Sequence, residues 1–356
     1  MTTSFERGAF DCVAVVSTTL HALYVAEFAF KFNVKTLHVI VLIKRTTDER
    51  QLRSILDEIA HSRVDWVYLD SFFGNKFISI FELLSLQNIT WMNSYTYGIF
   101  CDYGRSLLAN LPCKEYWWLG DGTKYLYQNS RRFKAKSNRF HKQKRFQKLV
   151  RLVTGKNLYL SDDVHSFSPF SDGSCGERND FGWLKGVYEK RGVTDACNAG
   201  SVYFFGAYFC EVDGKKIMGE AEYLDVIRKI YEYYLASGLT FIYVPHRHES
   251  EDKLRKIEKI IRRDVSRFSF PAEYQFVDFG FRPAEVASFF STCLFHFKLI
   301  FPSVKITSFY VDISASNSDF AQQSELYYDE LRKVIGEDNV ISLNSLNSLS
   351  NKRRLT

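Results

Sequence analysis

Residues 12–43 decide the fold: CVAVVSTTLHALYVAEFAFKFNVKTLHVIVLI. Cys12 to Val16 is a short apolar run rich in β-branched side chains, and it stops at Ser17, Thr18 and Thr19. A helical pattern follows through Phe30, and Leu37 to Ile43 is a second apolar run. Short continuous apolar runs bounded by turn residues suit strands buried on both faces. Outward from this stretch the alternation continues. Leu52, Ile55, Leu56 and Ile59 recur at helical spacing, Val64 to Leu69 reads as a third strand and Phe77 to Leu86 as a third helix. Such a β-α-β-α-β order predicts a parallel sheet covered by helices on both faces. Tyr116 to Leu119 reads as a further strand, ending on Gly120-Asp121-Gly122.

The alternation breaks between Arg131 and Gly186. Arg131 to Lys148 is densely basic, and Ser161 to Asp180 is rich in Ser, Asp and Gly, a composition of loops. It then resumes. Val202 to Phe205 and Thr240 to Val244 read as strands. Leu224, Ile227, Ile230, Tyr231 and Tyr234 mark a helix stopped by Gly238, and Leu254, Ile257, Ile260 and Ile261 mark another. Tyr274 to Val277 is expected as a strand, Pro283 to Phe290 as a short helix opened by proline, and Cys293 to Phe297 and Ile306 to Val311 as strands. Asp319 to Ile335 reads as a helix. The expected organisation is an α/β chain of two Rossmann-like domains with a cleft between them. Residues 1–190 and 191–318 form the domains, a helix over 319–341 returns toward the first, and 342–356 is a frayed tail.

Bulk properties narrow the classes. The chain has 356 residues, 46% hydrophobic and 25% charged, which suits two packed cores and argues against long disorder. Aromatic residues reach 16%, including 32 Phe and 21 Tyr, and predict aromatic-rich cores. A net charge of +6 suits an anionic partner. The 7 cysteines lack Cys-x-x-Cys spacing, so neither a zinc site nor a redox pair is expected, and reduced, buried thiols in a cytoplasmic protein are. Met1 to Asp11 has no signal-peptide pattern, and Phe289 to Phe301 is too short and polar to span a bilayer.

Open parallel sheets bind ligands beyond the carboxyl ends of their strands, so polar clusters at those ends are the candidates. Gly120-Asp121-Gly122-Thr123 can turn sharply and present a carboxylate able to accept a hydroxyl proton, although an ordinary turn has the same composition. Pro245-His246-Arg247-His248-Glu249-Ser250 lies between a strand and a helix N-terminus, where a protonated His246 can hold a phosphate. Two histidines one residue apart are a weak metal signal, and Glu249 and Ser250 read as helix-cap residues. Ser291-Thr292, expected after a short helix, supplies adjacent hydroxyls and free backbone N–H groups for the same purpose. A P-loop, a dinucleotide glycine fingerprint, a nucleophile elbow and an Asp-x-Asp pair are all missing, so neither a cofactor nor a catalytic metal is expected.

Taken in this order, Gly120-Asp121-Gly122, His246-Arg247 and Ser291-Thr292 resemble the acid-acid-Gly, His-Pro and Ser-Ser/Thr motifs of the bacterial sialyltransferases and polysialyltransferases of the GT-B type. Gly120 stands where the first acid is usual, and Arg247 where proline is, which resembles divergent O-antigen and capsule enzymes. The resemblance implies an inverting, metal-independent glycosyltransferase that moves sialic acid, or a related nonulosonic acid, from a CMP-activated donor to a surface glycan. It implies Asp121 as general base and His246 at the leaving phosphate. Ser291 and Thr292 would hold that phosphate, and Gly206, Arg247 and Glu273 would lie on the donor side. Ser17, Thr18 and Thr19 would face the acceptor. It also implies a lipid-linked acceptor, with Arg131–Lys148 touching an anionic inner membrane and no nucleic acid bound. A different GT-B transferase, using another CMP-linked or nucleoside-diphosphate sugar, and a non-catalytic basic module binding membrane or nucleic acid are the rival readings.

Overall fold

The computed structural model describes residues 10–43, 49–59, 62–68, 94–101, 105–120, 152, 164–170, 176–193, 200–209, 218–312 and 318–346. The chain divides into two compact units, Met1–Trp183 and Leu184–Thr356. Among the described residues no helix is long and apolar enough to cross a membrane.

The first unit is built on a seven-stranded sheet whose paired strands all run parallel. Its strands are β1 (Phe10–Val16), β2 (Leu37–Ile43), β3 (Ser62–Tyr68), β4 (Tyr95–Phe100), β5 (Cys113–Leu119), β6 (His165–Ser168) and β7 (Gly176–Arg178). They lie in the order β3-β2-β1-β4-β5-β6-β7. Helix α1 (Thr19–Lys31) follows β1, and α2 (Glu49–Leu56) links β2 to β3. The short α3 (Arg105–Leu108) precedes β5, and α4 (Gly182–Lys190) follows β7. The five residues Cys12–Val16 are all buried, as both-sided burial of a central parallel strand requires. Helix α1 packs through Phe28, whose ring meets Tyr97, Trp117 and Phe167 edge-on. The aromatic excess goes into such contacts. Two strands, β6 and β7, occupy part of the segment expected as loops, because their three or four residues are too short to show a periodic pattern. The expected helix at Phe77–Leu86 lies outside the described residues.

The second unit carries a five-stranded parallel sheet, β12-β11-β10-β8-β9. Its strands are β8 (Ser201–Phe205), β9 (Thr240–Val244), β10 (Glu285–Ser288), β11 (Lys305–Tyr310) and β12 (Val340–Ser342). Between them run α5 (Glu220–Ala236), α6 (Glu251–Ile261), α7 (Ala272–Phe279), α8 (Cys293–Ile300) and α9 (Ser318–Ile335). Counted within the unit this is the doubly wound order 2-1-3-4-5, with its topological switch between β8 and β10. In the first unit the switch falls between β1 and β4.

Three expected elements exchange identity. Tyr274–Val277 belongs to helix α7, Glu285–Ser288 is a strand instead of a helix, and Cys293–Phe297 opens helix α8 instead of forming a strand. Burial on all sides is the cause. Helix α8 buries Cys293, Leu294, Phe295, His296, Phe297 and Ile300, so no polar stripe marks its period. Helix α7 buries Glu273 and Gln275 along with Tyr274 and Phe276, and Gly280 ends it in the left-handed conformation at φ 71°. Strand β10 buries Glu285, whose carboxylate accepts from Tyr234, Thr307 and Lys305.

The C-terminal helix α9 does not stand apart from the second unit: it inserts Tyr327 and Tyr328 into that unit's core. The Tyr327 hydroxyl donates to the Ser291 carbonyl at 2.7 Å, and that of Tyr328 to the Phe309 carbonyl at 3.2 Å. Nor does fraying begin at Ser342: Ser342 ends β12, and Leu346 is fully buried in the core with Phe309 and Val311. Leu346→Ala should therefore cost about 2–5 kcal/mol of stability in chemical denaturation. A loss below about 0.5 kcal/mol would place Leu346 at the surface.

Candidate functional site

Three consecutive strands of the second sheet, β9, β8 and β10, end in the loops that carry the predicted donor residues. His246 and Arg247 follow β9, Gly206 follows β8, and Ser291 and Thr292 follow β10. With strands about 4.8 Å apart, the three loops share one edge roughly 10 Å wide. Strand β10 and helix α8 flank the pair Ser291-Thr292. The pair lies between the carboxyl end of a strand and a helix N-terminus, beside the switch point. Two side chains lock the edge. Ser288 Oγ donates to the Phe205 carbonyl and Ser308 Oγ to that of Phe289, both at 2.8 Å.

The His246 loop is held from beneath. His246 and Glu249 close a turn, with Glu249 N–H donating to the His246 carbonyl at 2.9 Å. The Glu249 side chain then folds inward and is fully buried. It accepts from His246 N–H at 2.8 Å and from the Tyr243 hydroxyl at 2.9 Å, and Lys253 Nζ lies 2.6 Å from Oε1. Glu249 is thus the loop's anchor, while Ser250 is the true N-cap of α6 and accepts from Lys253 N–H at 3.3 Å. Gly206 is dictated by the same group. A Cβ there would stand 2.3 Å from Tyr243 Oη and 2.6 Å from Glu249 Oε2.

His246 itself is half-buried and lies against Tyr208 and His248, with ring centroids 6.2 and 5.3 Å away. Burial first, then the charges of His248, Arg247 and Lys253, push its pKa down from 6.5 to about 4. The imidazole is therefore neutral at pH 7 in the absence of a ligand. Its Nδ1 accepts from His248 N–H at 3.3 Å, which leaves the proton on Nε2. A neutral imidazole of this tautomer is a hydrogen-bond donor to an incoming oxyanion, whose own charge would draw the pKa back up. Arg247 is exposed, and its guanidinium has no partner among the described residues.

On the β10 side the expected cradle is partly occupied. Ser291 N–H donates to Tyr327 Oη at 3.1 Å, and Ser291 Oγ donates to Cys293 Sγ at 3.0 Å. The N–H groups of Thr292 and Cys293 and the Thr292 hydroxyl have no partner among the described residues, so the open donors begin one residue later than expected. Burial drives the Cys293 thiol far above the usual range, so it stays protonated. Glu273, expected on the donor side, is buried, with Oε1 2.6 Å from Nδ1 of the fully buried His296. It ties α7 to the first turns of α8, behind Thr292, and holds the helix that carries the open donors.

In the first unit, Ser17, Thr18 and Thr19 stand at the carboxyl end of β1, beside that sheet's switch point. Thr18 caps α1 by accepting from His21 N–H, and Ser17 Oγ lies 3.3 Å from His21 Nδ1. The Thr19 hydroxyl has no partner among the described residues. Gly120 follows β5, with its N–H on the Phe167 carbonyl and its own carbonyl accepting from Ser168 Oγ. Asp121 and Arg131–Lys148 lie outside the described residues. Sequence reasoning missed Tyr208, Tyr243, Lys253 and the anchoring role of Glu249. The i,i+4 spacing of Glu249 and Lys253 was the available signal.

Residues 188–310 match the family model described as Alpha-2,8-polysialyltransferase (POLYST), a stretch that runs from the end of α4 through β11 and includes every predicted donor residue. The chain thus resembles the polysialyltransferases over this part, in agreement with the motif order. A search of curated protein sequences finds no match. Solved structures that align over most of the chain include a MnaA–UDP co-structure from S. aureus, with 13% identity, 97% of this chain and 95% of that one covered, and a TM-score of 0.47. Acinetobacter baumannii MurG aligns at 7% identity, 96% and 89% coverage and a TM-score of 0.42. A family 9 glycosyl transferase from Veillonella parvula DSM 2008 aligns at 12% identity, 99% of both chains and a TM-score of 0.40.

The His246 environment is measurable. An NMR titration should find its midpoint near pH 4, against 6.5 for an ordinary histidine. The unfolded chain takes up this proton as pH falls through 6.5, and the folded chain only near 4. The penalty for charging His246 is therefore absent above pH 6.5 and complete by about pH 4, and stability should fall across that window. A midpoint at 6.5 or above would contradict the buried, cation-flanked geometry.

Proposed function

We propose that the protein is an inverting glycosyltransferase that moves sialic acid, or a related nonulosonic acid, from a CMP-activated donor to a hydroxyl of a surface glycan. The observation that carries this reading is the placement of His246, Gly206 and Thr292 on three adjacent strand ends inside the segment that matches the polysialyltransferase family. An open switch-point edge with unpartnered helix N–H groups is suited to a phosphate. A nucleoside monophosphate leaving group presents such a phosphate.

In this reading the donor phosphate sits over the N-terminus of α8. It accepts from the Thr292 and Cys293 N–H groups, from the Thr292 hydroxyl and from Nε2–H of His246, with Arg247 adding charge from the loop tip. As the bond from the anomeric carbon to the phosphate oxygen breaks, the sugar gains oxocarbenium character and the phosphate gains negative charge. Donors fixed in advance stabilise that charge without rearrangement. His246 stays neutral throughout and meets that growing charge with its Nε2–H, while Nδ1 keeps the His248 N–H. Asp121, two residues beyond the end of β5 in the sequence, takes the proton of the attacking acceptor hydroxyl. Ser17, Thr18 and Thr19, at the switch point of the other sheet, are proposed to face the acceptor, Thr19 with its hydroxyl free.

The acceptor as a lipid-linked glycan, and Arg131–Lys148 as the contact with an anionic membrane, are part of the same proposal. A basic segment interleaved with Phe133, Phe140 and Phe146 suits an anionic lipid face.

Asp121→Ala and His246→Ala should each lower the turnover of CMP-sialic acid by about 10²–10⁴-fold while leaving the melting temperature within a few degrees. The measurement is transfer of labelled sialic acid to an oligosaccharide acceptor. Turnover near that of the unaltered protein in either variant would remove that residue from its role. Transfer from a nucleoside-diphosphate sugar and none from CMP-sialic acid would move the protein to a different donor class.

A further inference from the structure

The groups beneath the His246 loop form one network. Ala207 N–H donates to Tyr223 Oη at 3.0 Å, and the Tyr223 and Tyr243 hydroxyls meet at 2.8 Å. Since Tyr243 donates to Glu249, the direction is fixed: Ala207 N–H to Tyr223, Tyr223 to Tyr243, Tyr243 to the carboxylate. Lys253, its side chain only 4% exposed, pairs with Glu249 Oε1 at 2.6 Å and lies 3.4 Å from the centre of the Tyr223 ring. The network therefore touches the loop after β8 at Ala207, the loop after β9 at His246, and the first turn of α6 at Lys253. Gly206 leaves no slack, because a Cβ there would overlap both Tyr243 and Glu249.

We infer that the buried Glu249–Lys253 pair is the positioning device of the donor site: it fixes the His246 loop against the Gly206 loop so that His246 presents Nε2–H to the nucleotide phosphate. The inference rests on the donor reading of His246 given above. Two charges removed from water cost more than an apolar pair of the same volume, so stability alone is a poor reason to have them there. What the pair supplies is direction. A carboxylate anchored by an ammonium and a phenol accepts the His246 N–H at 2.8 Å and sets the turn in which His248 N–H reaches Nδ1. His246 is faced by Arg247 and His248 of its own loop, by Lys253 of α6 and by Tyr208 beyond β8. Lys253 is the one of these whose charge is tied to a buried anion.

The test replaces the pair with apolar residues of similar volume, Glu249→Leu together with Lys253→Met, in the full chain. Melting reports the fold, imidazole ¹⁵N shifts assigned by comparison with His246→Ala report the tautomer, and titration with CMP reports the site. The double variant should melt cooperatively, lose the single Nε2–H tautomer of the unaltered protein and bind CMP about tenfold or more weakly, the scale of losing a charge-assisted hydrogen bond. A folded double variant with the original tautomer and affinity overturns the inference and leaves the pair a stability element. Should that variant not fold, Glu249→Gln with Lys253→Met keeps an acceptor for His246 N–H. In a folded protein it should still lose the single tautomer and bind CMP about tenfold more weakly, because the ammonium-anchored carboxylate is gone, and the original tautomer and affinity in it also overturn the inference. If the unaltered protein binds no CMP, the donor reading fails, while the tautomer comparison still decides whether the pair positions His246.

Discussion

A carboxylate taken out of water must be given partners, and Glu249 is given three, the His246 N–H, the Tyr243 hydroxyl and the Lys253 ammonium, with the Tyr223 hydroxyl bonded in turn to Tyr243. The second unit's functional edge depends on that requirement. Strands β8 and β9 pair in parallel and end together, and Gly206 N–H extends their ladder by one bond to the Val244 carbonyl. Beyond that point the backbone leaves the sheet and the buried carboxylate takes over as the shared acceptor. It also selects glycine at position 206, since any side chain would displace the group that organises the loop.

Around this anchor the doubly wound order does the rest. A sheet ordered 2-1-3-4-5 opens a crevice where the connections diverge to opposite faces, and β10 lies across that switch from β8. Helix α8 begins at the crevice with open N–H groups, while its interior is fixed by His296 on Glu273 and its N-cap region by Tyr327. In the proposed reading these open N–H groups are the ones that hold the donor phosphate. On the β9 side the same reading adds a neutral His246 as a further donor through Nε2–H.

Much of the fold was legible where burial was one-sided or strands were central. The run Cys12–Val16 announced β1 as a short apolar stretch bounded by Ser17, Thr18 and Thr19, and the spacing of Leu254, Ile257 and Ile261 announced α6 by its helical period. Legibility failed where burial surrounds an element. Helix α8 has apolar residues on every side, and α7 hides Glu273 and Gln275 inside, so both lack the contrast on which periodicity relies. The site followed the same logic. Polar residues just after strands were visible as candidates, and His246, Gly206 and Thr292 do stand at neighbouring strand ends. The state of His246 was not visible, since it is set by burial and by cations from residues 247, 248 and 253 acting together. Nor could Glu249 be told from a helix cap, because its role depends on Tyr243 and Tyr223, which come from a different strand and helix. Asp121 was singled out by its flanking glycines, and the described residues reach only to Gly120.

The central claim is that the edge formed by the loops after β8, β9 and β10 is a CMP-phosphate site. Calorimetric titration of CMP into the unaltered protein, His246→Ala and Thr292→Ala, at pH 7, tests it most directly. The account predicts binding in the micromolar range that weakens about tenfold or more in each variant, because each removes a donor to a charged phosphate. Equal affinity in all three proteins, or no CMP binding by the unaltered chain, would contradict it.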